Sequence, residues 1–202
     1  MSLVVLPGRT AAVARAIQAR LNMAFPPARF AHAWMPAKMS EKVWTDLLRS
    51  TPFVGLGWSA NRATTASGRI FNGDFMFDVY LVVKNELGLE GRLFGDRFGP
   101  GLMQMADAAV AVLNGFTLPN VGTLVVSAAS NAFADGLGDD KAIAAISVCV
   151  KGPLGVGDIF EGPELCGDQI TEFVWSWHID GTLTGDVIVD DIILPGETAP
   201  CA

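Results

Sequence analysis

The longest regular pattern in the chain runs from Ile70 to Lys84. The odd positions Phe71, Gly73, Phe75, Phe77, Val79, Leu81 and Val83 are apolar or small, while the even positions bring in Asn72, Asp74, Asp78 and Lys84. Alternation of period two sustained for about fifteen residues predicts a β-strand of roughly 50 Å at ~3.4 Å per residue. Strands are usually five or six residues long. One this long is expected to project past the body or to form one arm of a long hairpin with Pro52–Ala60, which also reads as a strand. The residues between them, 61–68, are rich in Gly, Ser, Thr and Asn and read as a loop.

Elsewhere the period changes. Thr10 to Ala24 places Val13, Ile17, Leu21 and Ala24 on one side of a helix, with Thr10 as a candidate N-cap and Pro26-Pro27 as the stop. Phe30–Met35 is a short candidate strand. Ser40 is positioned to cap a helix through Arg49, where Val43, Trp44, Leu47 and Leu48 form the apolar stripe and Glu41 suits the positive N-terminal dipole. A third helix is expected over 100–114, opened by Pro100 and closed by Asn114-Gly115, with Leu102, Met105, Ala106, Ala109 and Leu113 inside. Strands are then expected at Gly122–Ser130, Ala142–Lys151, 170–179 and Val187–Leu194, with Asp180-Gly181 as a hairpin turn. Residues 152–168 read as a long Gly/Pro-rich loop, and 195–202 as a flexible tail. The order predicts a single α+β domain over 1–202: a mostly antiparallel sheet, about three helices on one face, and a long projecting β-hairpin.

Composition adds a question of surface. The chain has 202 residues, of which only 17% are charged, below the ~25% usual in soluble domains. Its mean hydropathy is +0.38. That surplus of apolar side chains implies burial against other subunits. No run reaches the ~18 apolar residues that a membrane span needs, so no membrane partner is expected. The opening MSLVVLPGRT lacks the basic segment and apolar length of a signal peptide. Three cysteines, Cys149, Cys166 and Cys201, match no zinc spacing, and Cys149 reads as a buried small hydrophobe. The net charge of −7 conceals a split. Residues 1–134 carry 12 basic and 8 acidic groups, and residues 135–202 carry 2 basic and 13 acidic groups. Such a division bears on partners.

Candidate chemistry is sparse. Gly55-Leu-Gly57-Trp-Ser-Ala60 matches a dinucleotide-binding spacing, but no helix is expected after it, and the glycines are better explained by close backbone approach. Gly152-Pro-Leu-Gly155-Val-Gly157 lacks the Lys-Ser/Thr of a phosphate loop. His32 and His178 are the only histidines, and no GxSxG is present. No catalytic, cofactor-binding or metal-binding residue is therefore assigned. The scattered cations of 1–134 form no nucleic-acid motif, and the acidic third repels a phosphate backbone.

Several segments together resemble one known family. They are PFVGLGW at 52–58, GDFMFDVYLVVKN at 73–85, GRLFGDRFGPGLMQMADAAVAVLNG at 91–115, GTLVV at 122–126 and DDIILP at 190–195. Their order and spacing resemble the tail terminator, or tail-completion, proteins of Mu-like bacteriophages, which are related to the lambda-like tail terminator. The resemblance implies a structural virion protein without enzymatic activity. It would be made in the host cytoplasm and carried at the head-proximal end of the tail. It would self-associate as a hexameric ring, cap the tube of tail-tube protein, end its polymerisation, and present a surface to a head-completion or neck protein. Genomic DNA would pass through the central hole without specific binding.

Charge and loop position single out interface candidates. Arg92, Arg97 and Phe98 are expected at a subunit contact. The acidic residues Asp158, Glu161 and Glu164, with Asp186, Asp190 and Asp191, are expected to face the tube or the channel. The competing reading is a small α+β enzyme or ligand-binding protein that uses the 152–168 loop with His178 and Asp180.

Overall fold

The structure is a computed structural model that describes residues 4–5, 8–36, 51–65, 71–86, 88–97, 99–132, 141–155, 160–161, 174–175 and 187–188. The chain divides into two compact units, one of Pro7–Gly155 and one of Met1–Leu6 with Val156–Ala202. In chain order the described elements are β1 (Val4–Val5), α1 (Gly8–Ala24), β2 (Ala31–Met35), β3 (Phe53–Thr65), β4 (Phe71–Lys84), α2 (Leu89–Phe94), β5 (Gly95–Asp96) and β6 (Gly99–Pro100). They continue with α3 (Leu102–Leu113), β7 (Thr117–Leu118), β8 (Gly122–Asn131), β9 (Lys141–Leu154), β10 (Phe160–Glu161), β11 (Val174–Trp175) and β12 (Val187–Ile188).

The larger unit is built on a six-stranded sheet in the order β2-β3-β4-β9-β8-β7. β3 and β4 form the expected long hairpin, paired antiparallel from Phe53↔Val82 to Thr65↔Asn72. β9 takes the other side of β4 along its whole length, from Phe71↔Leu154 to Lys84↔Lys141. β8 is antiparallel to β9, and β7 pairs with β8 at Thr117↔Thr123 and Leu118↔Gly122. Only β2, at the opposite edge, runs parallel to its neighbour, from Ala31↔Phe53 to Met35↔Gly57. The fold is thus α+β with a mostly antiparallel sheet.

The alternation of β4 decides the layers. Phe75, Phe77, Val79, Leu81 and Val83 point to one face and are buried there with Val54 and Leu56 of β3 and with Ala144, Ile146, Val148 and Val150 of β9. Helix α1 closes this face with Val13, Ile17 and Leu21, and α3 does so with Leu102, Met105, Ala109 and Leu113. Each side chain of this kind contributes about 1.5–3 kcal/mol by leaving water. The guanidinium of Arg20 on α1 lies 4.0 Å over the Phe116 ring, a cation–π contact that ties α1 to the end of α3.

The opposite face of the sheet is graded. At one end Met35, Phe53, Val82 and Ile143 form a second small apolar cluster, against which Tyr80 packs. In the middle, Gly55, Tyr80 and Ala145 and then Gly57, Asp78 and Ser147 lie side by side. The Asp78 carboxylate accepts the hydroxyls of Ser147, at 2.8 Å, and of Ser59. At the far end Arg62, Asp74 and Lys151 form a cross-strand row.

Several boundaries differ from expectation. β3 continues to Thr65 through the expected loop at 61–68, because β4 offers it partners that far; register shifts at Trp58/Ala60 and Ala63/Thr65 absorb the extra residues. Pro100 does not open the third helix. It pairs with Gly95 in a short ladder, and α3 starts two residues later, at Leu102, with Gly101 as its N-cap. Thr10 is inside α1 rather than at its cap, and its hydroxyl accepts a 3.1 Å hydrogen bond from Asn61. β9 extends three residues into the segment expected to be loop, to Leu154, and Phe160–Glu161 is strand β10, antiparallel to β1. Cys149 is half-buried on the graded face rather than fully buried. The expected helix at Ser40–Arg49 lies outside the described residues. No helix among the described residues is long and apolar enough to cross a membrane.

If the face of β4 determines the core, neighbouring positions should differ sharply. Phe77→Ala removes a ring that is 1% exposed and should cost about 3–5 kcal/mol in urea unfolding. Met76→Ala, on the other face, should cost less than half as much. Equal losses would contradict the assigned layers.

Candidate functional site

The segment after β4 turns tightly because of three groups. The side-chain amide of Asn85 donates to Asp96 Oδ2 at 3.0 Å, and Gly99 N–H donates to Asp96 Oδ1 at 3.1 Å. Both carboxylate oxygens of Asp96 are therefore occupied. Gly95 has φ +80°, and a Cβ on Gly101 would lie 2.3 Å from Gly95 N. No larger residue fits that close approach of backbone to backbone. The result is a ladder, Gly95↔Pro100 and Asp96↔Gly99, with Arg97 at its tip. The backbone N–H of Gly101 then donates to Gln104 Oε1 at 3.4 Å, which starts α3.

Beside this turn is a groove of about 940 Å³ lined by Arg29, Phe30, Pro52, Val83, Lys84, Asn85, Glu86, Asp96, Arg97, Gly99 and Pro100. Three cationic and two anionic side chains border it. Glu86 lies 3.9 Å from Lys84. The side chains around the turn are unusually apolar for a surface. Leu89 and Phe94 on α2 are 61% and 58% exposed, and Met103 in the first turn of α3 is 47% exposed. No residue of α2 is fully buried, although Leu93 packs against the main core.

The expected interface residues are distributed unevenly. Arg97 is exposed and lines the groove. Arg92 is half-buried on α2, with its Nε buried and without a hydrogen-bond partner. Glu161 is on β10, opposite Val4. Phe98, Asp158, Glu164, Asp186, Asp190 and Asp191 lie outside the described residues, as do His178 and Asp180. Gly55 and Gly57 lie in mid-strand with no helix following, which removes the dinucleotide reading; a Cβ on Gly55 would sit 2.7 Å from Met35 Cγ. Sequence reasoning missed α2 and the groove. The available signal was Asn85 set before five glycines in Gly88–Gly101, a pattern of side-chain-anchored tight turns.

The unit boundary sharpens the charge split. All fourteen basic side chains belong to Pro7–Gly155, and the other unit carries ten acidic and no basic ones.

On the graded face two groups titrate late. Burial pushes the Cys149 thiol up, and the charge of Asp74 adds to that while Lys151 opposes it. Burial also raises the Tyr80 hydroxyl, aided by Asp78. Among the described residues no group of three or more His, Cys, Asp or Glu could hold a metal ion.

No known family's profile matches the chain, and no curated protein does. A solved structure whose title states no function is similar to it at 16% identity and a TM-score of 0.35, over 74% of this chain and 97% of that one. A likeness that distant carries no argument about function.

Two outcomes follow from this geometry. Asn85→Ala removes a donor to Asp96 and should lower stability by about 1 kcal/mol, with amide exchange rising at Gly99 and Gly101; unchanged exchange there would contradict the anchoring role. With Cys166 and Cys201 replaced by Ser, alkylation of Cys149 should have its midpoint above that of a free thiol. Because the folded state holds the proton longer, stability should fall as pH rises through the unfolded thiol range near ~8.5. A midpoint at or below the free-thiol value would contradict the burial argument.

Proposed function

We propose that the chain is a ring-forming structural subunit of a bacteriophage tail, a tail terminator that caps the tube, ends its polymerisation and joins the tail to the head or neck. The reading begins from the family resemblance of segments 52–58, 73–85, 91–115, 122–126 and 190–195. The observation that carries it furthest is the surface around the Arg97 turn. Half-exposed Leu, Phe and Met side chains there flank a basic tip that is held rigid by Asp96. Large apolar and arginine side chains on a preorganised element are the residue types that dominate protein interfaces.

The charge division supports the same reading. One unit of mixed charge and one purely acidic unit suit an object with two different partners, a tail-tube protein and a head-completion or neck protein. An acidic lining lets DNA pass without the phosphate contacts that dominate nucleic-acid binding. In this account the protein is no enzyme and uses no cofactor. It is made in the host cytoplasm, ends in the virion, and works as a homo-oligomer, a hexamer by the resemblance.

Light scattering coupled to size exclusion, on the full chain with tail-tube protein, should show a homo-oligomer or a mixed complex. Arg97→Glu should weaken that association at least tenfold while leaving the circular dichroism spectrum unchanged. A chain that stays monomeric and free of tube protein would overturn the proposal.

A further inference from the structure

Two stretches of the large sheet end in open backbone among the described residues, and they match each other. β2 pairs with β3 only as far as Gly57, which leaves the outer edge of Trp58–Thr65 without a strand. At the other side, β7 pairs only with Gly122 and Thr123. Beyond β7, Leu124 exchanges backbone hydrogen bonds with Gly115 and Phe116, and Val126 N–H is held by the Asn114 side chain. From Ser127 to Asn131 the edge has no such cover, and all five residues are exposed. Ala132 N–H donates to Ile143 O at 2.8 Å. Two-residue alternation then turns the N–H groups of Ala129 and Asn131 outward, away from β9.

Open edges are normally blunted by lysine, proline or inward charge. The β8 stretch reads SAASN, with no charge and no proline, and the β3 stretch reads WSANRATT, with Arg62 as its single charge. Small polar side chains let another strand approach. Trp58, 53% exposed, and Trp34 on the adjacent edge strand, 51% exposed, stand beside the β3 stretch. Both are hot-spot residue types left in water.

The directions also agree. β3 is antiparallel to β4, β4 to β9 and β9 to β8, so β3 and β8 run opposite ways. A second copy rotated about an axis to which the strands are tilted would bring its β8 edge to the first copy's β3 edge in antiparallel orientation. The stretches are offset along the sheet. The β8 run lies level with 78–81 of β4, through β9, and the β3 run level with 72–77. A constant offset of that kind is the shear that tilted strands need to close on themselves. Register shifts within β3 and at Val126/Ala128 supply local twist and curvature.

We propose that the outer edge of β3 at Trp58–Thr65 in one copy pairs antiparallel with the outer edge of β8 at Ser127–Asn131 in the next, joining the sheets of neighbouring copies into one. The inference rests on the ring reading and specifies its subunit contact. Because the two edges differ, the contact is heterologous and generates a closed ring or a filament rather than a two-fold dimer.

The test uses full-length chain with Ala63→Pro, which blocks the β3 edge, and Ala129→Pro, which removes an outward N–H of β8 without touching its bonds to β9. Each variant alone should be monomeric by light scattering, and an equimolar mixture should stop at a dimer, because one intact β3 edge then meets one intact β8 edge. Should either proline unfold the chain, Ala63→Cys with Ala129→Cys, in a background with the native cysteines changed to Ser, should give a covalent ladder with a short bis-maleimide; Ala63→Cys with Asp107→Cys should not. Folded proline variants that still reach the wild-type mass, or no ladder, would overturn the edge pairing and leave the ring reading standing. A wild-type chain that stays monomeric and free of tail-tube protein when the two are mixed would overturn both.

Discussion

β4 is the constraint on which the larger unit depends. It pairs with β9 along all fourteen of its residues and with β3 from Asn72 to Val82. A strand held on both sides cannot slip by one residue without exchanging Phe75, Phe77 and Val79 for Asp74, Met76 and Asp78 on the core face. That single register places α1 and α3 on one side and leaves the other side graded from apolar to charged. It also fixes where, among the described residues, β3 and β8 run out of partners.

This dependence explains what was legible in the sequence. The alternation of β4 and the helical stripes Val13/Ile17/Leu21 and Leu102/Met105/Ala109/Leu113 are local signals, and the structure follows them. Residues 61–65 read as loop by composition but extend as strand because β4 provides partners, a tertiary effect that no local window contains. Pro100 reads as a helix opener, yet the close approach of Gly95 and Gly101 moves the helix start beyond it. Helix α2 has six residues and none of them is fully buried, so it is too short to leave a periodic apolar stripe. Of the residues lining the groove, Arg97 is singled out by charge and position, and Arg92 is not among them. The rest of the groove depends on Arg29 and Lys84, distant in sequence and brought together by the fold.

The surface features share a direction. A chain with few charges for its length places half-exposed Leu, Phe, Met and Trp side chains on α2, α3, β2 and β3, and it confines its basic groups to one unit. A solitary soluble protein gains nothing from such exposure. A subunit whose edges, helices and acidic unit each meet a different neighbour does. In the proposed assembly those apolar positions would be covered, which would account for the low charged fraction.

The proposed role requires that this chain assemble head to tail into a closed ring that ends a tail tube. Electron microscopy of the full-length chain mixed with polymerising tail-tube protein measures this directly. The account predicts a ring with a central hole at one end of each tube, and tubes that stop growing there. Tubes that lengthen unchanged, with no density for this chain at either end, would contradict it.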